Sequence, residues 1–191
     1  NTIAMLSGNP LIFNDVLKDC DKGCDFATIK ETIHKNMIGI KDSVIQKQIL
    51  DIFKIDFNYV HEIMKGPLQN LFVQNIVQSI ATFSLKSVIL LIGFKNGEAQ
   101  IVEISESTIN DMRDIDFGAI GSGSVQALNT LLFQRQSKAD ALHTTLYNVY
   151  KAKRNAEVSV GVGKETDIMI LTAAGRITIP ENKREGSLGY L

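Results

Sequence analysis

The chain has 191 residues, 45% of them hydrophobic, with 20 Lys and Arg against 21 Asp and Glu and a net charge of -1. This length allows one well-buried core without requiring a second domain, and scattered basic residues in a nearly neutral chain argue against nucleic-acid binding. The longest apolar run, Val88 to Gly93, is too short to cross a bilayer, and the first residues lack a signal-peptide pattern. We therefore expect a soluble, cytoplasmic protein that binds neither membranes nor nucleic acids.

The first half of the chain is predicted to be one strand followed by helices. Thr2 to Leu6 is a short apolar run that ends in the turn sequence Ser-Gly-Asn-Pro, and Leu11 to Leu17 is predicted to be helical. Apolar residues recur at helical spacing through residues 20–66, which predicts a mainly helical segment. A further helix is expected from Pro67, because the missing N–H of proline is harmless in a first turn.

The two cysteines, Cys20 and Cys24, lie in a polar part of this first half. A zinc site takes about four ligands at recognisable spacing, and only three histidines could supplement the thiols. We expect reduced thiols, no metal and no cofactor.

A β-hairpin is predicted in the middle of the chain. Two β-rich runs, 87–94 and 99–104, flank the dipeptide Asn96-Gly97. An Asn-Gly pair between two such runs is the strongest short-range signal for a hairpin turn.

The second half is predicted to contain a strand, two helices and another hairpin. The strand is expected at Phe117 to Ile120 and the first helix from about Ser124. Ser137 and Asp140 resemble a capping box, which places the next helix after them, up to about residue 154. Strands at 167–172 and 176–179 would form the second hairpin.

Hairpins separated by pairs of helices predict an α+β fold, with antiparallel sheets and helices packed outside them. We expect a single domain over residues 1–179, followed by a loose polar tail at 180–191.

The stretch Gly118 to Ser124, Gly-Ala-Ile-Gly-Ser-Gly-Ser, is the clearest candidate for a functional turn. Glycines let backbone amides approach a ligand, and amides at a helix start attract anions. Residues 121–127 match half of a dinucleotide-binding motif, but the third small residue is one position out of place and the preceding strands form a hairpin. A small-molecule site at this turn is one alternative.

Four segments of the chain carry a family resemblance by their order and spacing. They are Ile3-Ala-Met-Leu-Ser-Gly8 with its following helix, the hairpin 89–104, Ala119 to Leu128, and Tyr150 to Arg154 leading to 166–172. None is specific alone, but together they extend from residue 3 to residue 172, across nearly the whole length of the chain. In this order they resemble the proteasome-like branch of the Ntn-hydrolase superfamily, which includes proteasome β-subunits, HslV-type peptidases and small proteasome-related proteins.

The resemblance implies a four-layer αββα sandwich, in which two antiparallel sheets lie between helical layers. It also implies an amino-terminal threonine nucleophile, exposed by self-cleavage, whose α-amino group accepts the proton while a nearby lysine lowers the relevant pKa. In the family these groups lie on two strands that precede the equivalent of Thr2 to Leu6. We therefore expect the chain to lack the first two strands and the nucleophile, with Thr2 an ordinary strand residue.

The resemblance assigns four residues to the supporting part of a catalytic site. Gly8 matches the glycine whose backbone N–H contributes to the oxyanion hole, and Ser124 matches the serine that hydrogen-bonds near the threonine amine. Asn155 stands where the family has an aspartate that orients this serine network, and Ser159 matches the serine that follows. An amide cannot supply the negative charge of the aspartate, which disfavours ordinary threonine-peptidase chemistry.

Each assignment has a purely structural alternative. Gly8 could equally be a turn glycine, and Ser124 could be a helix N-cap. Leu6, Pro10 and Asn14 match positions that line the substrate pocket of the family, but they could also be a core residue, a helix start and a solvated residue.

Two functions follow from the resemblance. The first is a threonine hydrolase or peptidase-related protein that acts on peptides or proteins. The second is a catalytically silent scaffold, favoured by Asn155 and the missing nucleophile. Both imply a homo-oligomer, a ring or dimer formed through the helical layers or an open sheet edge. The helical segment 20–65 is longer than the family leads us to expect, and is either an insertion or a thickened helical layer.

Overall fold

A computed structural model of the chain describes residues 2–20, 23–66 and 71–179. Its α-helices are Phe13–Val16 (α1), Phe26–Ile45 (α2), Phe57–Met64 (α3), Leu71–Thr82 (α4), Ser124–Phe133 (α5) and Leu142–Ala156 (α6). Its strands are Thr2–Ser7 (β1), Val88–Lys95 (β2), Glu98–Ile104 (β3), Ile109–Asp111 (β4), Ile168–Thr172 (β5) and Gly175–Ile179 (β6). The predicted α+β class is confirmed.

The strands form two antiparallel sheets. The first has four strands in the order β1-β2-β3-β4, and the second has the two strands β5 and β6. β1 and β2 pair from Thr2 opposite Gly93 to Ser7 opposite Val88. Within the described ranges, β1 is therefore an edge strand of the larger sheet.

The predicted hairpin between β2 and β3 is confirmed. Its two turn residues, Asn96 and Gly97, have φ angles of 52° and 83°. Positive φ at both central residues is the geometry that matches the right-handed twist of the flanking strands.

The main core lies between α2 and one face of the larger sheet. Asp25 caps α2, because its Oδ1 accepts a hydrogen bond of 2.7 Å from the Thr28 N–H. One stripe of α2 then faces the sheet, and the buried residues of this core are Val16, Phe26, Ile33, Met37, Ile89, Leu91, Val102 and Ile104. Burial of such side chains contributes about 1.5–3 kcal/mol each.

Two smaller cores are formed mainly by helices. α3, α4 and the end of α2 enclose Ile45, Leu50, Val60 and Ile76. α5 and α6 pack on each other around Phe117, Leu131 and Ala152. The predicted helical character of segment 20–66 is confirmed by α2, α3 and the π-helical and 3-10 turns, Gln46–Leu50 and Asp51–Phe53, that follow α2.

The strand predicted at Phe117 to Ile120 is wrong. These residues have no ladder partner, and a Cβ atom on Gly118 would lie 3.3 Å from side-chain atoms of both Leu90 and Ile101. The segment therefore crosses the face of the sheet. It does not pair with β3, because the edge of β3 is already paired with β4. The sequence did not predict β4, a three-residue strand with one apolar residue.

The predicted capping box is also corrected. The Ser137 N–H donates to Asp140 Oδ2 at 2.9 Å, but α6 begins only at Leu142, and its N-cap is Ala141. The pair closes a separate turn before the helix.

The expected helix start at Pro67 and the expected polar tail lie outside the described residues.

Candidate functional site

The end of β1 makes a tight turn at Gly8. Its φ angle is +118°, and a Cβ atom there would lie 2.5 Å from both the Lys86 carbonyl oxygen and Ser87 Oγ. The next residue, Asn9, donates its N–H to Ser87 Oγ at 3.1 Å. Only glycine fits this position without strain.

The glycine-rich turn lies against the same end of β1. Gly121 has a φ angle of +97°, and a Cβ atom on it would lie 3.2 Å from Ser7 Oγ. The structure thus brings the turn at 118–124 next to the residue that precedes Gly8. Two candidate segments that are more than a hundred residues apart in sequence meet at one end of the sheet.

Ser124 begins α5 but is not its N-cap. Gly123 holds the cap position, with no side-chain hydrogen bond to the first turn. The alternative that Ser124 is the N-cap is therefore wrong by one residue. Ser124 already lies within the first turn, where its N–H donates to the Gly121 carbonyl at 3.0 Å. Ser124 is half-buried, and its hydroxyl makes no hydrogen bond to any residue that the structure describes.

The loop after α6 reaches the same turn. A Cβ atom on Gly123 would lie 2.8 Å from Ala156 Cβ and 3.0 Å from Val162 Cγ2. In this loop the Ser159 N–H donates to the Ala156 carbonyl at 3.0 Å. Ser159 Oγ is buried without a partner among the described atoms, which is costly unless another group binds it.

Asn155 contacts α5, but through a residue that the sequence did not single out. Its Nδ2 donates to Thr130 Oγ1 at 3.0 Å, and this hydroxyl donates to the Gln126 carbonyl at 2.8 Å. The amide nitrogen of Asn155 is thus bound to Thr130 and not to Ser124. Thr130 is buried, and the signal that could have found it is a hydroxyl on the apolar face of α5.

An ionic clamp holds the loop that contains Ser159. Lys153 Nζ lies 2.6 Å from Glu157 Oε1 and 2.6 Å from the Gly163 carbonyl oxygen, so it joins both ends of the loop. The hydrogen bond from Lys153 lowers the pKa of the Glu157 carboxyl, helped by the charges of Lys153 and Arg154. The spacing of Lys153 and Glu157, four residues apart on a helix, was the available sequence signal.

The three pocket candidates occupy ordinary structural positions. Leu6 packs against the core between α2 and the sheet, on the opposite face of β1 from Ser7. Pro10 begins a 3-10 turn capped by Asn9, and Asn14 is exposed on α1. These placements agree with their structural alternatives, and a role in substrate binding stays a prediction.

The half-match to a dinucleotide-binding motif lacks its structural setting, since residues 117–120, which lead directly into Gly121, do not form a strand. Within residues 2–20, 23–66 and 71–179, no three His, Cys, Asp or Glu side chains are grouped so that they could hold a metal ion. In the same ranges, no helix combines the length and the apolar character needed to span a bilayer.

The sequence matches no protein-family model. It also matches no curated protein. The candidate site is therefore described only by Gly8, Ser124, Asn155 and Ser159 and by the contacts that these residues make. These residues offer hydrogen-bond donors and acceptors, and they do not include a nucleophile paired with a base.

Proposed function

We propose that this chain is part of a proteasome-like Ntn hydrolase that cleaves peptide or protein amide bonds. The observation that supports the proposal most is the contact of Gly121 with Ser7. It brings the proposed oxyanion glycine, Gly8, close to the turn that carries Ser124. A catalytic site needs residues from separate segments at one place. The resemblance assigns catalytic residues to both of these segments, Gly8 after β1 and Ser124 after the glycine-rich turn.

In the proposed mechanism a threonine Oγ attacks the amide carbonyl, and the α-amino group of the same threonine accepts the proton. This proton passes to the leaving amine as the C–N bond breaks, and water then hydrolyses the threonine ester, which releases the acid and restores the hydroxyl. The Gly8 N–H stabilises the oxyanion that forms, and one such donor lowers the barrier by about 3 kcal/mol. Ser124 holds the threonine amine through its hydroxyl. Ser159, with its unpartnered buried oxygen, belongs to the same network.

The second sheet supports the proposal that further strands complete the fold. β5 and β6 form a sheet of two strands, and Met169 and Ile177 on them are exposed apolar residues. An isolated two-stranded hairpin is only marginally stable in water. We propose that the nucleophile lies on strands that complete this sheet and produce the four-layer sandwich.

A second candidate function is a silent scaffold with the same fold. The observation that favours it is the hydrogen bond from Asn155 to Thr130. Asn155 stands where the family has an aspartate, but its side chain has no charge. The hydrogen bond directs this side chain to the hydroxyl of Thr130 on α5. A scaffold of this kind would form homo-oligomers but would not hydrolyse amides.

The two candidates are separated by assaying the natural protein on fluorogenic peptide amides. For the hydrolase, we expect amine release that a peptide boronate blocks. Ser124→Ala should lower kcat by about 10²-fold with little change in KM, by analogy with removal of a catalytic hydrogen bond. Ser122→Ala, an exposed serine of the same turn, is the matched control and should keep full activity. Activity that is equal in both variants would exclude the proposed role of Ser124, and no hydrolysis by any form of the protein would favour the scaffold.

A further inference from the structure

Residues 52–66 and 71–72 expose an unusual amount of apolar surface. Seven large apolar side chains in these ranges are each more than a third exposed, and Ile52 and Leu71 reach 69%. The seven residues, here called the α3-α4 patch, are Ile52, Phe53, Phe57, Tyr59, Met64, Leu71 and Phe72. Four of them are aromatic, the residue class most enriched in protein interfaces.

The aromatic residues at the centre of the patch lie close together. The rings of Phe53 and Phe72 meet edge to face, with centroids 4.9 Å apart. Tyr59 and Phe72 also line one apolar cleft of about 80 Å³ between α3 and α4. The patch therefore has a connected aromatic centre with a recess inside it, and it is not a scatter of single exposed side chains.

The size of the patch is close to what a stable interface needs. A large apolar side chain that is half exposed leaves about 100 Å² in water, so seven of them present about 700 Å². A standard interface buries about 800 Å² on each partner, whereas the largest apolar patch of a typical monomer is about 300–600 Å². The patch is large enough to form the apolar part of an interface.

The charges around the patch favour a second copy of this chain as the partner. Lys54 and Lys65 alternate along the segment with Asp51, Asp56 and Glu62. Glu62 and Lys65 pair with each other at 2.6 Å. A surface of a single sign would repel its own copy and select an oppositely charged partner. Mixed charge around an apolar centre permits the self-complementary contact of a two-fold dimer.

We propose that the α3-α4 patch is the interface of a symmetric homodimer, with the aromatic centre of one copy packed against that of the other. The dimer is independent of the proposed chemistry, because the patch lies on the exposed surface of α3, α4 and the turn before α3, and not at the end of β1. A dimer without amide hydrolysis, or hydrolysis by a monomer, would therefore separate the two proposals.

Sedimentation velocity on the full chain over a wide concentration range tests the dimer. The wild-type protein should sediment as a dimer and dissociate on dilution. Leu71→Glu and Ile52→Glu should each raise the dimer dissociation constant by about tenfold or more, because two-fold symmetry introduces the charge twice. Both side chains are largely exposed, so the variants should fold, and far-UV circular dichroism verifies this.

Phe133→Glu is the matched control, since Phe133 is a more exposed apolar residue on α5, outside the patch. It should leave the dissociation constant unchanged. A wild-type chain that stays monomeric at every concentration would overturn the proposal and leave the patch to another partner. An oligomer that Phe133→Glu disrupts, while Leu71→Glu and Ile52→Glu do not, would also overturn it.

Discussion

Gly121 approaches Ser7 so closely that a Cβ atom on the glycine would lie 3.2 Å from the serine hydroxyl oxygen. The contact joins the turn before α5 to the end of β1, and the loop after α6 packs against Gly123 in the same turn. Three segments that are far apart in sequence thus pack together at one place, and their close packing depends on the small residues there. Substitutions there should disturb packing and the proposed site together.

Gly8→Ala should be strongly destabilising. It forces a side chain into a conformation with a φ angle of +118° and places Cβ 2.5 Å from backbone and side-chain oxygens. We expect a loss of about 2–5 kcal/mol in the free energy of unfolding, the sum of strain and overpacking. Urea denaturation followed by circular dichroism measures it.

The matched control for this substitution is Gly97→Ala in the turn between β2 and β3. Gly97 has a φ angle of +83°, but nothing lies within 4 Å of its added Cβ. It should lose only the strain, about 1–2 kcal/mol. Equal losses in the two variants would contradict the close packing of Gly8 against residues 86 and 87.

Asn155 and Thr130 should be coupled energetically. Their hydrogen bond of 3.0 Å is the direct side-chain link between α6 and α5, so a double-mutant cycle of Asn155→Ala and Thr130→Val should give a coupling of about 0.5–1.5 kcal/mol. Asn129→Ala is the control, because Asn129 is exposed next to Thr130, and its effect should be additive with Thr130→Val. A coupling of zero for Asn155 and Thr130 would show that the bond does not form in solution.

The ionic clamp at Glu157 should make stability depend on pH in the acid range. Because the pKa of Glu157 is lowered in the folded protein, its contribution is fully present above the pKa of the unfolded chain, about 4.3, and is lost as the pH falls through the folded value. Wild type should therefore melt at a higher temperature than Glu157→Gln at neutral pH. The two Tm values should converge as the pH falls through the lowered pKa of Glu157. A difference that is constant from neutral to acid pH would contradict the clamp.

Gly39→Ala should stabilise the protein. Gly39 is exposed in the middle of α2, and nothing lies within 4 Å of an added Cβ. Alanine in an exposed helix interior is favoured over glycine by about 0.5–1 kcal/mol. Thermal unfolding measures the gain, and a lower Tm would show that this side of α2 is covered in solution.

The sequence predicted those elements whose signals are local. Asn96-Gly97 specifies its own turn, and the spacing of apolar residues specifies α2 and α6, whatever the rest of the chain does. The wrong strand at Phe117 to Ile120 has the composition of a strand, but whether it pairs depends on β4, which occupies the edge of β3. Strand pairing is a long-range choice that a local pattern does not contain.

The candidate site also combines residues that the sequence could indicate with contacts that only the folded chain creates. Gly8 was singled out by the family resemblance and Gly121 by its glycine-rich turn, but the approach of this turn to the end of β1 arises from the packing of a loop over the sheet. Thr130 was missed because its hydrogen bond to Asn155 forms only when α5 and α6 pack together. Glu157 was missed although its spacing of four residues from Lys153 could be read from the sequence. The α3-α4 patch was also hidden, since apolar residues at helical spacing predict burial and not which of them stay exposed.

We propose that Gly8 and Ser124 support an amino-terminal threonine on strands that precede β1. Intact-mass analysis and amino-terminal sequencing of the mature natural protein test it most directly. We expect a mature chain that begins with threonine, followed by two strand-like segments before the residue numbered Asn1 here. A mature natural chain whose first residue is Asn1 would contradict it.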